Sequence, residues 1–365
     1  MKSDGPIRPF VEDDIPQVTD LYVKIFRGSY EPSSPALRAL FKKLYFGNPW
    51  YDETLPCLVY QGNRGKIIGF LGILPRRMRM NGRPIKVAVS NNFMVEPGNR
   101  HTLAGIQLLK IFFEGVQDIS LAEGGNLSRQ LWERFGGTTA LLYSNHWIRP
   151  LRPCQYVTSL LRQWKFFVPL VAISRPLCRA LDALAIRLPP NNFMKSAPPF
   201  PDEELDVATF LACLSDFAGE YWLYPEYDNC SLQWFLDFLA EKKNYGTLRK
   251  LVVRNQDQKI IGWYLYYVNP GGVSEVLQIG ANSNSIHDVL DHLFFDAWCQ
   301  GVVTLSGRLE PRFIKDFAAR YCILKHVDTW MLIHSKKPEL LDIIHRGDAF
   351  LTRLEGEWMF FTLPV

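Results

Sequence analysis

Hydrophobic positions along this chain switch between strand-like and helix-like spacing, and the switches come twice in the same order. In residues 58–70, LVYQGNRGKIIGF, two apolar runs flank a polar turn, the pattern of a β-hairpin. Residues 251–263, LVVRNQDQKIIGW, align with it without a gap and repeat its Leu, Val, Lys, Ile, Ile and Gly. Ahead of each hairpin stand two helical patterns, at 15–26 and 35–45 in the first half and at 207–221 and 231–243 in the second. Behind the first hairpin come a central strand (86–95), a helix (103–114), a strand (119–122), a short helix (128–135) and a strand (138–143). LWERFGG at 131–137 has a weaker echo in FAARYCI at 317–323, each ahead of an apolar strand. Matching elements in one order predict a duplication. The expected architecture is α/β (α+β), with two tandem domains that are each a mixed central sheet flanked by helices. The expected boundaries are 1–150, a helical linker at 151–204, and a degenerate second copy at 205–365. The 365 residues suit two ordinary domains.

The stretch NNFMVEPGNRHTLAGIQLLKIF, residues 91–112, joins the central strand of the first copy to its next helix. Such a loop leaves backbone N–H groups unpaired at the positive end of the helix dipole, a seat for phosphate. Gly105 permits close backbone approach, and Arg100 adds a mobile positive charge. The corresponding stretch of the second copy, NSNSIHDVLDHLFF, has no arginine, and Asp288 and Asp291 stand early in its helix. Acidic groups there stabilise a helix but repel phosphate, so the second copy is expected not to bind one.

Charge and cysteine usage narrow the classes. A net charge of +4 with no lysine–arginine run argues against nucleic acid as a partner. The 7 cysteines are scattered without C-x-x-C spacing, which predicts neither disulfide framework nor zinc site, no structural metal, and a reducing cytoplasm. Residues 156–188 are basic, aromatic and helical in pattern, with no apolar run near the roughly 20 residues that span a bilayer. A linker packing on the two domains is the simpler reading, and peripheral contact with an anionic membrane is the other.

The loop VEPGNRHTLAGIQLL resembles the acyl-CoA loop of the GNAT superfamily of N-acyltransferases, V-x-P-x-x-[RQ]-x-x-G-x-[GA]. Val95, Pro97, Arg100 and Gly105 fit, while Leu103 stands where the first glycine is expected. LWERFGG resembles the family's L-Y-x-x-x-G-F helix end, with Trp132 in the tyrosine position. The resemblance covers roughly residues 6–150 well and 205–335 weakly, and a tandem arrangement is similar to that of mycothiol-synthase-like members. It implies acetyl-CoA or another acyl-CoA as co-substrate, with the pantetheine arm along Phe93 and Val95. It also implies a pyrophosphate held by the backbone of Arg100, His101, Thr102, Leu103, Ala104, Gly105 and Ile106. The amine then attacks the thioester directly, with a base for the ammonium and an acid for the thiolate.

The usual acid does not carry over, because an indole N–H at Trp132 is no useful acid. Asn126 is one residue beyond the family's frequent asparagine, where Gly125 stands. The replacements expected are Tyr143 as acid and His146 as base, both at a strand end, with core packing as the alternative for each. Asn91 or Asn92 should face the cleft, because side chains alternate along a strand, and Asn92 is taken as a site residue. Glu96 and Glu123 are the nearest carboxylates. Cys154 reads as structural, since direct transfer needs no acyl-cysteine. Trp147, Tyr221, Trp222, Tyr224 and Tyr227 would stack on a sugar, line an acyl tunnel, or fill a domain interface.

The leading expectation is therefore an N-acyltransferase acting on a small polar amine such as an amino sugar. A non-catalytic acyl-CoA-binding or sensing module is the alternative. An aminoacyl transferase of peptidoglycan-precursor type ranks last, since it would not need the pyrophosphate loop and the modest charge suits tRNA poorly.

Overall fold

The structure is a computed structural model and describes residues 6–99, 103–161, 177–178, 180–182, 203–327 and 329–357. The first half opens with strand β1 (Ile7–Pro9) and helices α1 (Ile15–Tyr22) and α2 (Pro35–Tyr45). Helix α2 begins where its pattern predicts, with Ser34 Oγ accepting from Leu37 N at 3.2 Å and Pro35 at the first position. Then come β2 (Leu58–Gln61), β3 (Ile67–Met80), β4 (Arg83–Val95), α3 (Ala104–Phe113), β5 (Ile119–Gly124), α4 (Asn126–Arg134), β6 (Thr138–Thr139), β7 (Asn145–Pro150) and α5 (Pro153–Leu161). The second half holds β8 (Glu203–Glu204), α6 (Val207–Phe217), β9 (Leu223–Pro225), α7 (Asn229–Ala240), β10 (Thr247–Arg254), β11 (Ile260–Val268), β12 (Val273–Ala281) and α8 (Ile286–Cys299). It ends with β13 (Thr304–Arg308), α9 (Ile314–Ala319), β14 (Ile323–His326), β15 (Trp330–His334) and α10 (Pro338–Arg346).

Two mixed sheets result, flanked by helices. The two hairpins that align in sequence also align in register. Tyr60 faces Gly69 and Gln61 faces Ile67, and in the second copy Val253 faces Gly262 and Arg254 faces Ile260, with the same irregularity at the same place. The extra residue, Ile68 in one and Ile261 in the other, is an aligned position.

Past the fourth helix the halves exchange strands. The first sheet runs β1-β2-β3-β4-β5-β15-β6, with β9 on the far end of β3, and the second runs β14-β7-β13-β12-β11-β10-β8. Strand β15 pairs with β5 from Trp330↔Gly124 to His334↔Ser120, and β7 pairs with β13 from Thr304↔Pro150 to Arg308↔His146. Residues 145–150, expected in the first domain by position, thus belong to the second sheet, and 330–334 to the first. The expected strand at 138–143 shortens to Thr138–Thr139, because a 3₁₀ turn at Leu142–Ser144 carries the chain across. Each guest strand is anchored by its side chains. Trp147 stacks on Phe317 at 4.9 Å in the second core, with Gly307 leaving room for the indole, while Leu332 and Ile333 are fully buried in the first core.

Helix α5 opens the expected linker, with Asp182 accepting from the backbone of Cys154 and Gln155 at its N-terminus. The basic stretch at 162–176, and all of 183–202, lie outside the described residues. Among the described residues no helix is long and apolar enough to cross a membrane, and no cluster of three metal-ligating side chains occurs.

Candidate functional site

Strands β4 and β5 are parallel and paired only from Val87↔Ile119 to Val89↔Leu121. Beyond that point β4 continues to Val95 and β5 to Gly124 without pairing to each other, so the sheet opens into a wedge. On its other edge β4 stays paired with β3 through Val95↔Gly69, but a bulge sets Asn92 and Phe93 against Leu71 alone. Asn92 adopts a left-handed backbone, φ +49°. The bulge breaks side-chain alternation: Asn92 Nδ2 donates to Tyr45 Oη at 2.9 Å, and Tyr45 Oη donates to Asn91 Oδ1 at 3.0 Å. Both asparagine side chains therefore end on one tyrosine of α2, which corrects the expectation that only one faces that way. What Asn92 offers the wedge is its backbone N–H, which lies near enough to the Glu357 carboxyl to lower it.

Glu357 reaches the wedge at the end of segment 347–357, which crosses between the two sheets. Its Oε2 accepts from Glu123 N on β5 at 2.9 Å, so the carboxyl is fixed to β5 inside the wedge. Burial pushes this carboxyl well above the usual range. The Glu123 amide pulls it back, the Glu123 charge raises it further, and the Asn92 amide lowers it. Glu123 itself is paired with Arg308 Nη2 of β13 at 2.5 Å, both buried, and Gly356 lies against that pair where a Cβ would fall on Glu123 Oε1.

At the outer end of β4 stands the N-terminus of α3. Its cap residue, Leu103, supplies no side-chain bond, the first turn carries no acid, and Leu103 and Ile106 are exposed. Gly105 sits over Phe93 and Val95, 3.3 Å from each to an added Cβ. Glu96 Oε1 accepts from both Lys24 and Lys66 at 2.7 Å. Burial would raise this carboxyl, but the two ammonium bonds outweigh it and hold Glu96 below the usual range, as an ion-paired and only weakly basic carboxylate.

No protein-family model matches the sequence, and no curated protein sequence matches it. Solved structures do match. A protein from Enterococcus faecalis described as a probable N-acyltransferase superposes with TM-score 0.59 at 10% identity, covering 90% of this chain and 72% of that one. A GCN5-related N-acetyltransferase from Anabaena variabilis superposes with TM-score 0.58 at 14% identity, covering 89% and 71%. The fold is that of the GNAT superfamily. The parted parallel strands, the bulge beside them and the helix at the strand end thus sit within a GNAT architecture of two such domains.

Within this GNAT fold the expected site residues separate. Phe93, Val95, Leu103, Ala104, Gly105 and Ile106 come together along β4 and the start of α3, whereas Arg100, His101 and Thr102 lie outside the described residues. Tyr143 is buried, with its hydroxyl donating to Ala349 O at 2.6 Å and accepting from Ala349 N at 3.1 Å. Both roles of the hydroxyl are occupied by backbone, so it is a core residue and not a free acid. His146 is buried on β7 against Arg353, Nδ1 to Nη2 3.0 Å; burial, then the charges of Arg353 and Arg308, push it down to about 2. It stays neutral and too weakly basic to deprotonate an ammonium. Trp132 is core, edge-on to Phe113 at 4.9 Å, and Trp147 and Tyr221 are buried too. Asn126 Oδ1 accepts from Trp330 Nε1 at 2.7 Å, on a ring that Arg129 covers at 4.4 Å.

The second wedge is shut. Strands β12 and β13 pair from Val273↔Thr304 to Val276↔Gly307 and then part, but Arg353 N donates to Leu277 O at 3.1 Å and Arg308 Nη1 donates to Thr352 O at 2.9 Å. Sequence reasoning reads EWMFFTLPV, residues 357–365, as an apolar strand at an exposed chain end; of it only Glu357 is described, and the course of 347–356 is not anticipated. The available signal was RLEGEWMFF, an apolar run holding two glutamates, since acids in such a run are buried only with partners.

Proposed function

We propose that this protein is a CoA-dependent N-acyltransferase that moves an acetyl or longer acyl group from acyl-CoA to a primary amine within the first wedge. One observation carries the reading: β4 presents the edge of a parted strand, a bulge amide and a helix N-terminus whose cap residue, Leu103, supplies no side-chain bond, in succession along one line. An extended thioester arm would pair with Phe93 and Val95, its pyrophosphate resting on the backbone from Arg100 to Ile106. The Asn92 N–H would meet the thioester carbonyl, where negative charge develops as the amine attacks. The second domain offers no equivalent line, since its wedge is filled and Asp288 stands in the first turn of α8. We read that domain as a degenerate copy that supports the first. The acceptor is read as a small polar amine, an amino sugar among them, met in the cytoplasm without nucleic acid; membrane contact through 156–188 stays a secondary proposal.

The test is calorimetric titration of the protein with acetyl-CoA and longer acyl-CoAs, alongside Gly105→Asp. An aspartate there adds a side chain against Phe93 and Val95 and a negative charge in the first turn. Binding by wild type and its loss in the variant are expected. No binding of any acyl-CoA by wild type refutes the proposal.

A further inference from the structure

We propose that the Glu357 carboxyl, carried into the first wedge from the second half of the chain, is the proton-transfer group of the acyl transfer. The inference rests on the acyl-CoA reading above. In the step, the amine nitrogen bonds to the thioester carbonyl carbon and the C–S bond breaks. The proton the amine sheds passes to Glu357 and on to the leaving thiolate, giving an amide and free CoA thiol.

Placement is the first argument. The carboxyl accepts from the β5 amide of Glu123 at 2.9 Å and lies near the bulge amide of Asn92, so it stands in the wedge at the level where the thioester carbonyl would take the Asn92 N–H. Other acids and bases of the region are excluded by their partners. Glu123 is fixed to Arg308, Glu96 to two lysines, Tyr143 to Ala349 and His146 beside Arg353. Among the described residues no lysine or arginine pairs with Glu357, which faces the amides of Asn92 and Glu123, the Glu123 carboxylate and Tyr45 of α2. A buried carboxyl with no lysine or arginine paired to it among the described residues exchanges its proton nearer neutrality than an exposed one. Delivery is the second argument. Segment 347–357 is anchored by backbone bonds of Asp348 with Trp222, Phe350 with Leu223 and Arg353 with Leu277, and the carboxyl itself is fixed by Glu123 N.

The experiment uses the full chain, wild type, Glu357→Gln and Glu357→Asp, with folding checked by circular dichroism. Acetyl-CoA affinity is measured by calorimetry, and CoA thiol release with hydroxylamine as the amine probe is followed against pH. The expected result is unchanged affinity in Glu357→Gln with turnover down ~100-fold and its acidic pH limb gone, and partial turnover in Glu357→Asp. Wild-type turnover in Glu357→Gln overturns the inference. So does tighter acetyl-CoA binding without loss of rate, which would make the carboxyl a mere occupant of the donor's place, and so does wild-type release no faster than buffer. Absence of acetyl-CoA binding in every variant fails the acyl-CoA reading instead.

Discussion

If β7 is a working member of the second sheet, then Trp147→Ala must loosen the second domain although residue 147 lies in the first half of the sequence. The indole is 1% exposed. It stacks on Phe317 with ring centroids 4.9 Å apart and planes 21° from parallel, and it meets Phe294 at 6.1 Å. Truncating a buried aromatic to alanine costs about 3–5 kcal/mol, of which the ring pairs contribute ~0.5–1.5 kcal/mol each. The upper end applies, because Gly307 presents only backbone to the void and cannot fill it. Against a typical stability of ~5–15 kcal/mol the variant stays folded but weakened. Urea unfolding gives the total, and hydrogen exchange followed by peptide mass spectrometry gives the place. Amides of 304–308 and 323–326, the two neighbours of β7, should lose protection, while 119–124 should keep theirs. Lost protection in 119–124 and 330–334 with 304–308 unchanged would refute the exchanged topology.

Two further predictions follow from buried charges. Burial pushes the Lys242 ammonium down to about 7, so the unfolded chain holds a proton that the folded chain releases between there and the ordinary value of 10.5. Stability is then lost as pH falls from 10.5 toward 7, by up to about 1.4 kcal/mol per pH unit. Lys242→Met should be the more stable protein at pH 7, with its advantage shrinking at pH 10 by urea midpoint; an advantage independent of pH would contradict this. Glu310 runs the other way. Burial, only partly offset by the charge and N–H of Arg312, raises its carboxyl well above 4.5, and its Oε1 has no hydrogen-bond partner. The folded state keeps a proton the unfolded state gives up, so stability falls as pH rises above 4.5. Glu310→Gln should raise the melting temperature more at pH 8 than at pH 4.5, and equal shifts would exclude ionisation as the cause.

What the sequence disclosed was local. Helix α2, with Ser34 and Pro35 at its head, and the two hairpins are written within a dozen residues each and were legible, whereas the irregularity the hairpins share appears only in the structure. So was the run from β4 into α3. Partner choice was not legible. Strands β7 and β15 are short, and nothing in either says which β-strand edge it will join, since pairing is decided by packing far along the chain. Alternation misled at Asn91 and Asn92 for a different reason: a left-handed residue at a bulge turns the following side chains, and no composition rule announces it. Tyr143 and His146 looked available because they stand at a strand end. Their burial comes from segment 347–357 and β13, more than 150 residues away in the sequence.

The same segment makes the two wedges unequal. Parted parallel strands leave backbone N–H and C=O groups that something must satisfy. In the second wedge that something is backbone: Leu277 O takes the Arg353 amide, and Thr352 and Arg353 lie between the strands as a built-in filling. Removing it would strip bonds from the segment that also holds Tyr143 and Arg308. In the first wedge it is a side chain, the Glu357 carboxyl, bonded to the amide of Glu123 and lying near that of Asn92. A side chain can turn away by rotamer change while its backbone stays, at a cost near that of one exchanged hydrogen bond, roughly 0.5–1.5 kcal/mol. An incoming thioester carbonyl would supply the replacement bond to Asn92. One wedge is therefore closed by structure and the other by a group that can yield, and that difference, rather than the overall likeness of the two domains, decides where a ligand can enter.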